Sequence, residues 1–330
     1  MNNRKLVTIC TTLYNKAPYL KDWAESLAKQ TYLNKMHILV VEDCSTDNSL
    51  ELLKKYVDEY HLPVEILQNK KNMGVIYSTQ RIYENLKTKY FAILDADDYY
   101  FTPERIERGV KFLESHENYS CHVCNYFKLF SDGRKATELP YPPPSNNLRN
   151  ITYSSFREFP IFQASSTVFR NFFTPNLLKK VLSYPEGISE TLDTALEGEP
   201  LRLLLASRYG KLYFDNFIGS IYRCDVGVFG SSSDFEQNLE NMDAFYKLFD
   251  FYKNNFGVDD NAIRCLEYAF QFYFQSWNNF AVMNKNFSIF EFKGKKFFKD
   301  YFKGFDVDTP TGIFEVLIRH GEILNNFTKK

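Results

Sequence analysis

Asp95, Asp97 and Asp98 follow directly on the apolar run Tyr90-Phe91-Ala92-Ile93-Leu94. An ionised carboxylate is rarely buried without a partner, because stripping its hydration is too costly. Three of them after a buried strand are expected at its exposed carboxyl end, facing a cation. Oxygen-only donors suit Mg²⁺ or Mn²⁺. An isolated D-x-D-D is as compatible with an ordinary acidic turn, so the surrounding pattern has to decide.

The scaffold that would position this cluster is an alternation of strands and helices. Leu6 to Thr11, His37 to Glu42, Val64 to Leu67, Tyr90 to Leu94 and Tyr119 to Phe130 are β-rich runs. Between them, Pro18 to Gln30, Asp47 to Tyr60, Val75 to Leu86 and Pro103 to Ser115 carry apolar residues at helical spacing. Such alternation predicts an α/β fold with a doubly wound, mostly parallel sheet, which binds ligands beyond the carboxyl ends of its strands. Three polar clusters fall at those ends: Thr11-Thr12-Leu13-Tyr14-Asn15, Glu42-Asp43-Cys44-Ser45 and Asp95 to Asp98. Their convergence on one rim raises the acidic cluster above a chance turn. Farther on, the proline-rich stretch 131–150 reads as a loop, Gln163 to Phe173 and Lys211 to Arg223 as strands, and Ser189 to Arg208 as helical. Residues from 234 onward read as helices, which places a domain boundary between 1–233 and 234–330.

Bulk properties narrow the classes. The 330 residues hold 40 Lys+Arg against 41 Asp+Glu, so no global field invites nucleic acid. No apolar run approaches the length of a membrane span, and the chain enters a strand without a secretory signal. The six cysteines are scattered and fit reduced cytosolic thiols. Cys121-His122-Val123-Cys124 contains a lone C-x-x-C with no second pair at zinc spacing. A cytoplasmic location follows as the expectation.

With these residues placed, the first 225 or so positions resemble a family-two glycosyltransferase of the GT-A fold. Val7 to Asn15 is similar to the family's first strand with its Tyr-Asn end. Glu42-Asp43-Cys44-Ser45-Thr46-Asp47 resembles its acidic second strand end, with Cys44 where glycine is usual. Asn72-Met73-Gly74 resembles the Asn-x-Gly that opens the next helix, and Asp95-Ala96-Asp97-Asp98 the metal-binding D-x-D. Gly198-Glu199 before Leu201-Arg202-Leu203-Leu204 resembles the segment carrying the catalytic base, with Pro200 where the family often has Asp. Tyr222-Arg223 resembles the Tyr-Arg pair closing the catalytic region.

The resemblance implies a transfer of sugar from a nucleotide-diphosphate donor, UDP-linked by preference, to a hydroxyl of a saccharide or lipid-linked saccharide, with inversion, in bacterial surface polysaccharide synthesis. It implies Mn²⁺ or Mg²⁺ on Asp97 and Asp98. Thr12, Tyr14, Asn15, Glu42, Asp43, Gly74, Asp95, Asp97 and Arg223 would line the donor. Glu199 would be the base, with Asp193 and Glu197 in reserve. The plainer alternative makes Glu197 and Glu199 first-turn acids complementing a helix dipole, with Pro200 at the first helical position. Two other classes stay open: a non-catalytic nucleotide-sugar or glycan-binding protein, and a sugar nucleotidyltransferase, which the glycine-free loop Thr12 to Lys16 disfavours. Gly227 to Ser233 reads as a lid or a linker. The resemblance does not cover the C-terminal hundred residues. Phenylalanines and lysines alternate through 286–305, open to packing, to self-association or to peripheral contact with the inner face of an anionic membrane.

Overall fold

The computed structural model describes residues 5–135, 150–151, 163–182, 199–224 and 226, and toward the C-terminus 245, 247–259, 262 and 265. The chain divides into two units, Met1–Ser183 with Arg202–Gly230, and Tyr184–Leu201 with Ser231–Lys330.

The strands of the first unit are rich in β-branched and aromatic residues, which fit a pleated, largely buried surface. The strands are β1 (Val7–Leu13), β2 (Met36–Glu42), β3 (Val64–Gln68), β4 (Tyr90–Ile93), β5 (Tyr99–Tyr100), β6 (Tyr119–Leu129), β7 (Asn150–Ile151), β8 (Thr167–Arg170) and β9 (Lys211–Arg223). The helices are α1 (Leu20–Ala28), α2 (Ser49–Glu59), α3 (Val75–Glu84), α4 (Arg105–Ser115), α5 (Pro175–Leu182) and α6 (Glu199–Tyr209), of which α6 belongs to this unit from Arg202 onward. Among the described residues the strands form one sheet in the order β3-β2-β1-β4-β8-β6-β9-β5, with β7 also on β9. The segment β3-β2-β1-β4 is wholly parallel, as strand–helix alternation dictates. Beyond β4 the sheet is mixed: β8 is antiparallel to both β4 and β6, while β6 and β9 run parallel. The segment expected as one strand from Gln163 to Phe173 is shorter, a 3₁₀ turn at Ala164–Ser166 leading into the four residues of β8.

The core lies between the sheet and its helices. Leu20, Trp23, Ala24 and Leu27 of α1, and Ile106, Val110 and Leu113 of α4, are buried against Val7, Ile9, Ile38, Val40, Tyr90 and Ala92. Their i, i+3, i+4, i+7 spacing gives each helix one apolar face. A polar link inside this core sets the height of two strand ends. The Trp23 indole donates to Thr11 Oγ at 3.2 Å, and Thr11 Oγ donates to the Leu94 carbonyl at 2.7 Å.

The connection after β4 matters most for function. The turn at residues 94–98 leads into β5, which pairs antiparallel with β9 through Tyr99↔Ile221 and Tyr100↔Ser220. The far end of β9 is thereby carried to the acidic turn. Along the way β9 passes tightly against α4 and β6, which requires glycine at 219: a Cβ there would stand 2.4 Å from both Arg105 Cδ and Cys124 Sγ.

In the second unit, residues 247–256 are helical and bury Leu248, Phe249, Phe251 and Tyr252. The Tyr252 hydroxyl donates to Asp259 at 2.9 Å. Among the described residues no helix is long and apolar enough to cross a membrane. The 286–305 segment and the 227–233 stretch lie outside the described residues.

Candidate active site

The rim is assembled from the loops after β1, β2 and β4 and the end of β9. After β1, Asn15 adopts φ +51°, a left-handed conformation that Asn tolerates better than most residues. Its side-chain oxygen accepts the Thr46 amide at 2.8 Å and the Asp47 amide at 3.3 Å, and its own amide nitrogen donates to Ser45 Oγ at 3.2 Å. Asn15 thus fastens the β1 loop to the β2 loop. Tyr14, 39 % exposed, stands free at the rim, and Thr12 is half-buried beside it.

Two buried acids close β2. Glu42 accepts the Ser45 amide at 2.6 Å. Asp43 reaches across to the loop before α3: one oxygen accepts Asn69 Nδ2 at 2.6 Å and the Met73 amide at 2.8 Å, and the other accepts the Gly74 amide at 2.8 Å. Gly74 sits at φ +86° with no atom near the position of a Cβ. Glycine is required there by the backbone conformation, not by crowding. Arg81, in the last turn of α3, donates to the Gln68 carbonyl at 3.1 Å and to the Asn69 side chain.

The acidic turn divides its labour. Asp98 is buried; one oxygen accepts the Arg223 amide at 2.9 Å and the other accepts Gln163 Nε2. Burial, then Asp95 and Asp97, push its carboxyl well above the usual range. Asp97 is partly exposed and takes an ammonium, Lys16 Nζ, at 2.5 Å. Asp95 is half-buried with no hydrogen-bond donor to its carboxylate among the described residues. Burial, reinforced by Asp97, pushes its pKa up to about 6. Two carboxylates thus crowd each other at the end of β4, and one of them has no donor among the described residues.

Arg223 holds the turn from the other side. Its guanidinium donates to the Asp97 carbonyl and to the Asp22 carboxylate, and lies over the rings of Tyr19 and Tyr99 with its central carbon 5.1 and 4.9 Å from their centroids. Cation–π contact and the two hydrogen bonds leave it facing the protein, where it supports the turn.

This geometry has relatives. Residues 8–173 match the profile described as Glycosyl transferase family 2, half of the chain. The chain belongs to glycosyl transferase family 2. Within the family, it is 33 % identical over 119 residues to a protein of Bacillus subtilis (strain 168) named as the glycosyltransferase EpsE; the match covers 36 % of this chain and 42 % of EpsE. It thus spans less than half of that relative's length. Among solved structures, residues 1–349 of Staphylococcus aureus TarS in complex with UDP superpose with a TM-score of 0.56 at 16 % identity, over 84 % of this chain and 75 % of that one. The mannosyltransferase PcManGT of Pyrobaculum calidifontis, in complex with GDP-Man and Mn²⁺, superposes with a TM-score of 0.51 at 14 % identity, over 85 % of this chain and 76 % of that one. At such identities the likeness speaks for a shared fold, GT-A.

The structure gathers Asn15, Glu42, Asp43, Gly74, Asp95, Asp97, Asp98 and Arg223 around adjoining loops of the first unit. Glu199 is the first residue of α6, while Asp193 and Glu197 fall outside the described residues. Both C-x-x-C cysteines are buried, and all six cysteines are free thiols. Sequence reasoning passed over Lys16, Gln163 and Asp22. Only for Lys16 was there a local signal, a basic residue directly after the Tyr-Asn pair.

Proposed function

We propose that this protein transfers a sugar from a nucleotide-diphosphate donor, UDP-linked by preference, to a hydroxyl of a saccharide acceptor, with inversion at the anomeric carbon. The observation that carries this reading is the Asp95–Asp97 pair at the end of β4: two crowded carboxylates, one with no donor among the described residues, within a family-two fold. TarS with UDP and PcManGT with GDP-Man and Mn²⁺ support a nucleotide donor and a divalent ion by fold analogy.

In this proposal Asp97, with Asp95 beside it, would hold Mn²⁺ or Mg²⁺; Asp98 has its oxygens engaged by Gln163 and the Arg223 amide and serves to fix the turn. The bound ion would supply Lewis-acid stabilisation of the negative charge on the departing diphosphate. Tyr14 and Thr12 would flank the nucleotide base and ribose. Asp43, bound to the Met73 and Gly74 amides, would fix the loop against which the base rests. Glu199 would take the proton from the acceptor hydroxyl as it attacks the anomeric carbon. The acceptor belongs to a growing surface glycan, as the family resemblance implies.

A panel of UDP-, GDP- and TDP-sugars with Mn²⁺ or Mg²⁺, scored by thermal shift and by slow donor hydrolysis, tests the reading. One UDP-sugar is expected to raise the melting temperature in a metal-dependent way and to be hydrolysed. Failure of every nucleotide sugar on both readouts would overturn it.

A further inference from the structure

We propose that Lys16 is a resident counter-cation of the acidic turn, occupying Asp97 until a divalent ion displaces it. The inference rests on the reading that Asp97 holds the metal.

Lys16 is placed by construction. Its own backbone amide donates to Ser49 Oγ at 2.8 Å, and the residue before it is the left-handed Asn15, fastened to Ser45, Thr46 and Asp47. From this fixed base the side chain crosses to the β4 turn, where Nζ donates to Asp97 Oδ2 at 2.5 Å and to the Val226 carbonyl at 3.1 Å. The pair is shielded, with Lys16 at 21 % and Asp97 at 14 % side-chain exposure. Shielding weakens solvent screening, so this ion pair is worth more than one in open water.

Charge makes the contact purposeful. Asp95, Asp97 and Asp98 lie within four positions, and Arg223 gives Asp97 only a bond to its carbonyl. Lys16 is the cation on the Asp97 carboxylate among the described contacts. A single ammonium neutralises one charge of the cluster, whereas a divalent ion would neutralise two. The two cations therefore compete for the same oxygens. The Val226 contact adds a consequence: loss of Lys16 from Asp97 also unsettles the tether to the chain just past β9.

Manganese binding without any donor tests this directly, by calorimetry and by the loss of the free-ion electron paramagnetic resonance signal. Lys16→Met is expected to bind Mn²⁺ about tenfold or more tightly than the unaltered chain, because the competitor is gone. Lys16→Arg, which keeps the charge, is expected to stay within about threefold of it. Asp97→Asn is expected to lose binding in either background. Equal or weaker Mn²⁺ binding by Lys16→Met, in a protein whose circular dichroism and melting curve match the parent, would overturn the proposal, as would absence of Mn²⁺ binding in both. The donor panel reports on the sugar-transfer reading separately, because tightened Mn²⁺ binding with no donor either raising the melting temperature or being hydrolysed would leave this inference standing and sink that one.

Discussion

Asp43 holds Gly74 by its backbone: the carboxylate at the end of β2 accepts the Gly74 amide at 2.8 Å, across 31 positions of sequence. The same carboxylate takes the Met73 amide and the Asn69 side chain, so a single acid shapes the loop that opens α3. Gly74→Ala adds no clash, because no atom lies near its Cβ position. The expected loss is the cost of φ +86° for an L-residue, about 1 kcal/mol. Asp43→Ala removes one acceptor of the buried Asn69 side chain and the acceptor of the Met73 and Gly74 amides at once, and is expected to cost more, about 1–3 kcal/mol. Urea denaturation of both variants, with UDP affinity measured beside it, checks the order.

Asp97 and Asp98 should separate when each is replaced. Asp98 is buried and serves Gln163 and the Arg223 amide, so Asp98→Ala is expected to lower stability by about 1–3 kcal/mol as well as activity. Asp97→Ala removes repulsion against Asp95 along with the Lys16 pair. Its stability is expected to stay within about 1 kcal/mol of the parent while kcat/KM falls by about 10²-fold or more. Thermal denaturation and donor hydrolysis on the two variants give the comparison.

Glu199→Gln is expected to lower kcat by about 10²–10⁴-fold while leaving donor affinity unchanged, the signature of a lost general base. Nucleotide-sugar binding by calorimetry and transfer rates at saturating donor distinguish this from a folding defect. An unchanged kcat would transfer the role to Asp193 or Glu197.

Acid should destabilise the fold through His122. This ring is wholly buried and donates from Nε2 to the Asp215 carboxylate at 3.2 Å, and Asp215 is also gripped by Arg108 at 2.9 Å. Burial lowers the His122 pKa to about 4. The folded protein therefore resists a proton that the unfolded chain accepts near pH 6.5. Stability is full above pH 6.5 and falls as the pH drops toward 4, by up to about 3 kcal/mol from this group. His122→Phe should flatten that part of the pH profile in chemical denaturation.

The scaffold was legible wherever a run of residues carried its own period. The β-branched runs of β1, β2 and β4, and the apolar stripes of α1, α2 and α4, are local signals, and the structure has them within a few residues. The acidic residues were legible by type and by position at strand ends. Their partners were not. Asp98 meets Gln163 across 65 positions and the Arg223 amide across 125, and Arg223 meets Asp22 across 201. No period links such distant residues. β5 has two residues, too few for any pattern, yet its pairing with β9 is what delivers Arg223. The same reasoning explains why the partners of Asp98 were not legible: a carboxylate's neighbours in sequence do not reveal which donors the fold will bring to it.

Arg223 sets a lower bound on how much polypeptide the acidic turn needs. The stretch matching the family profile ends at residue 173, fifty positions before the guanidinium that packs between Tyr19 and Tyr99 and braces Asp97. A fragment trimmed to the matched stretch would keep every acid of the turn and lose the strand that steadies it. Anyone shortening this chain for expression should cut no earlier than the end of β9.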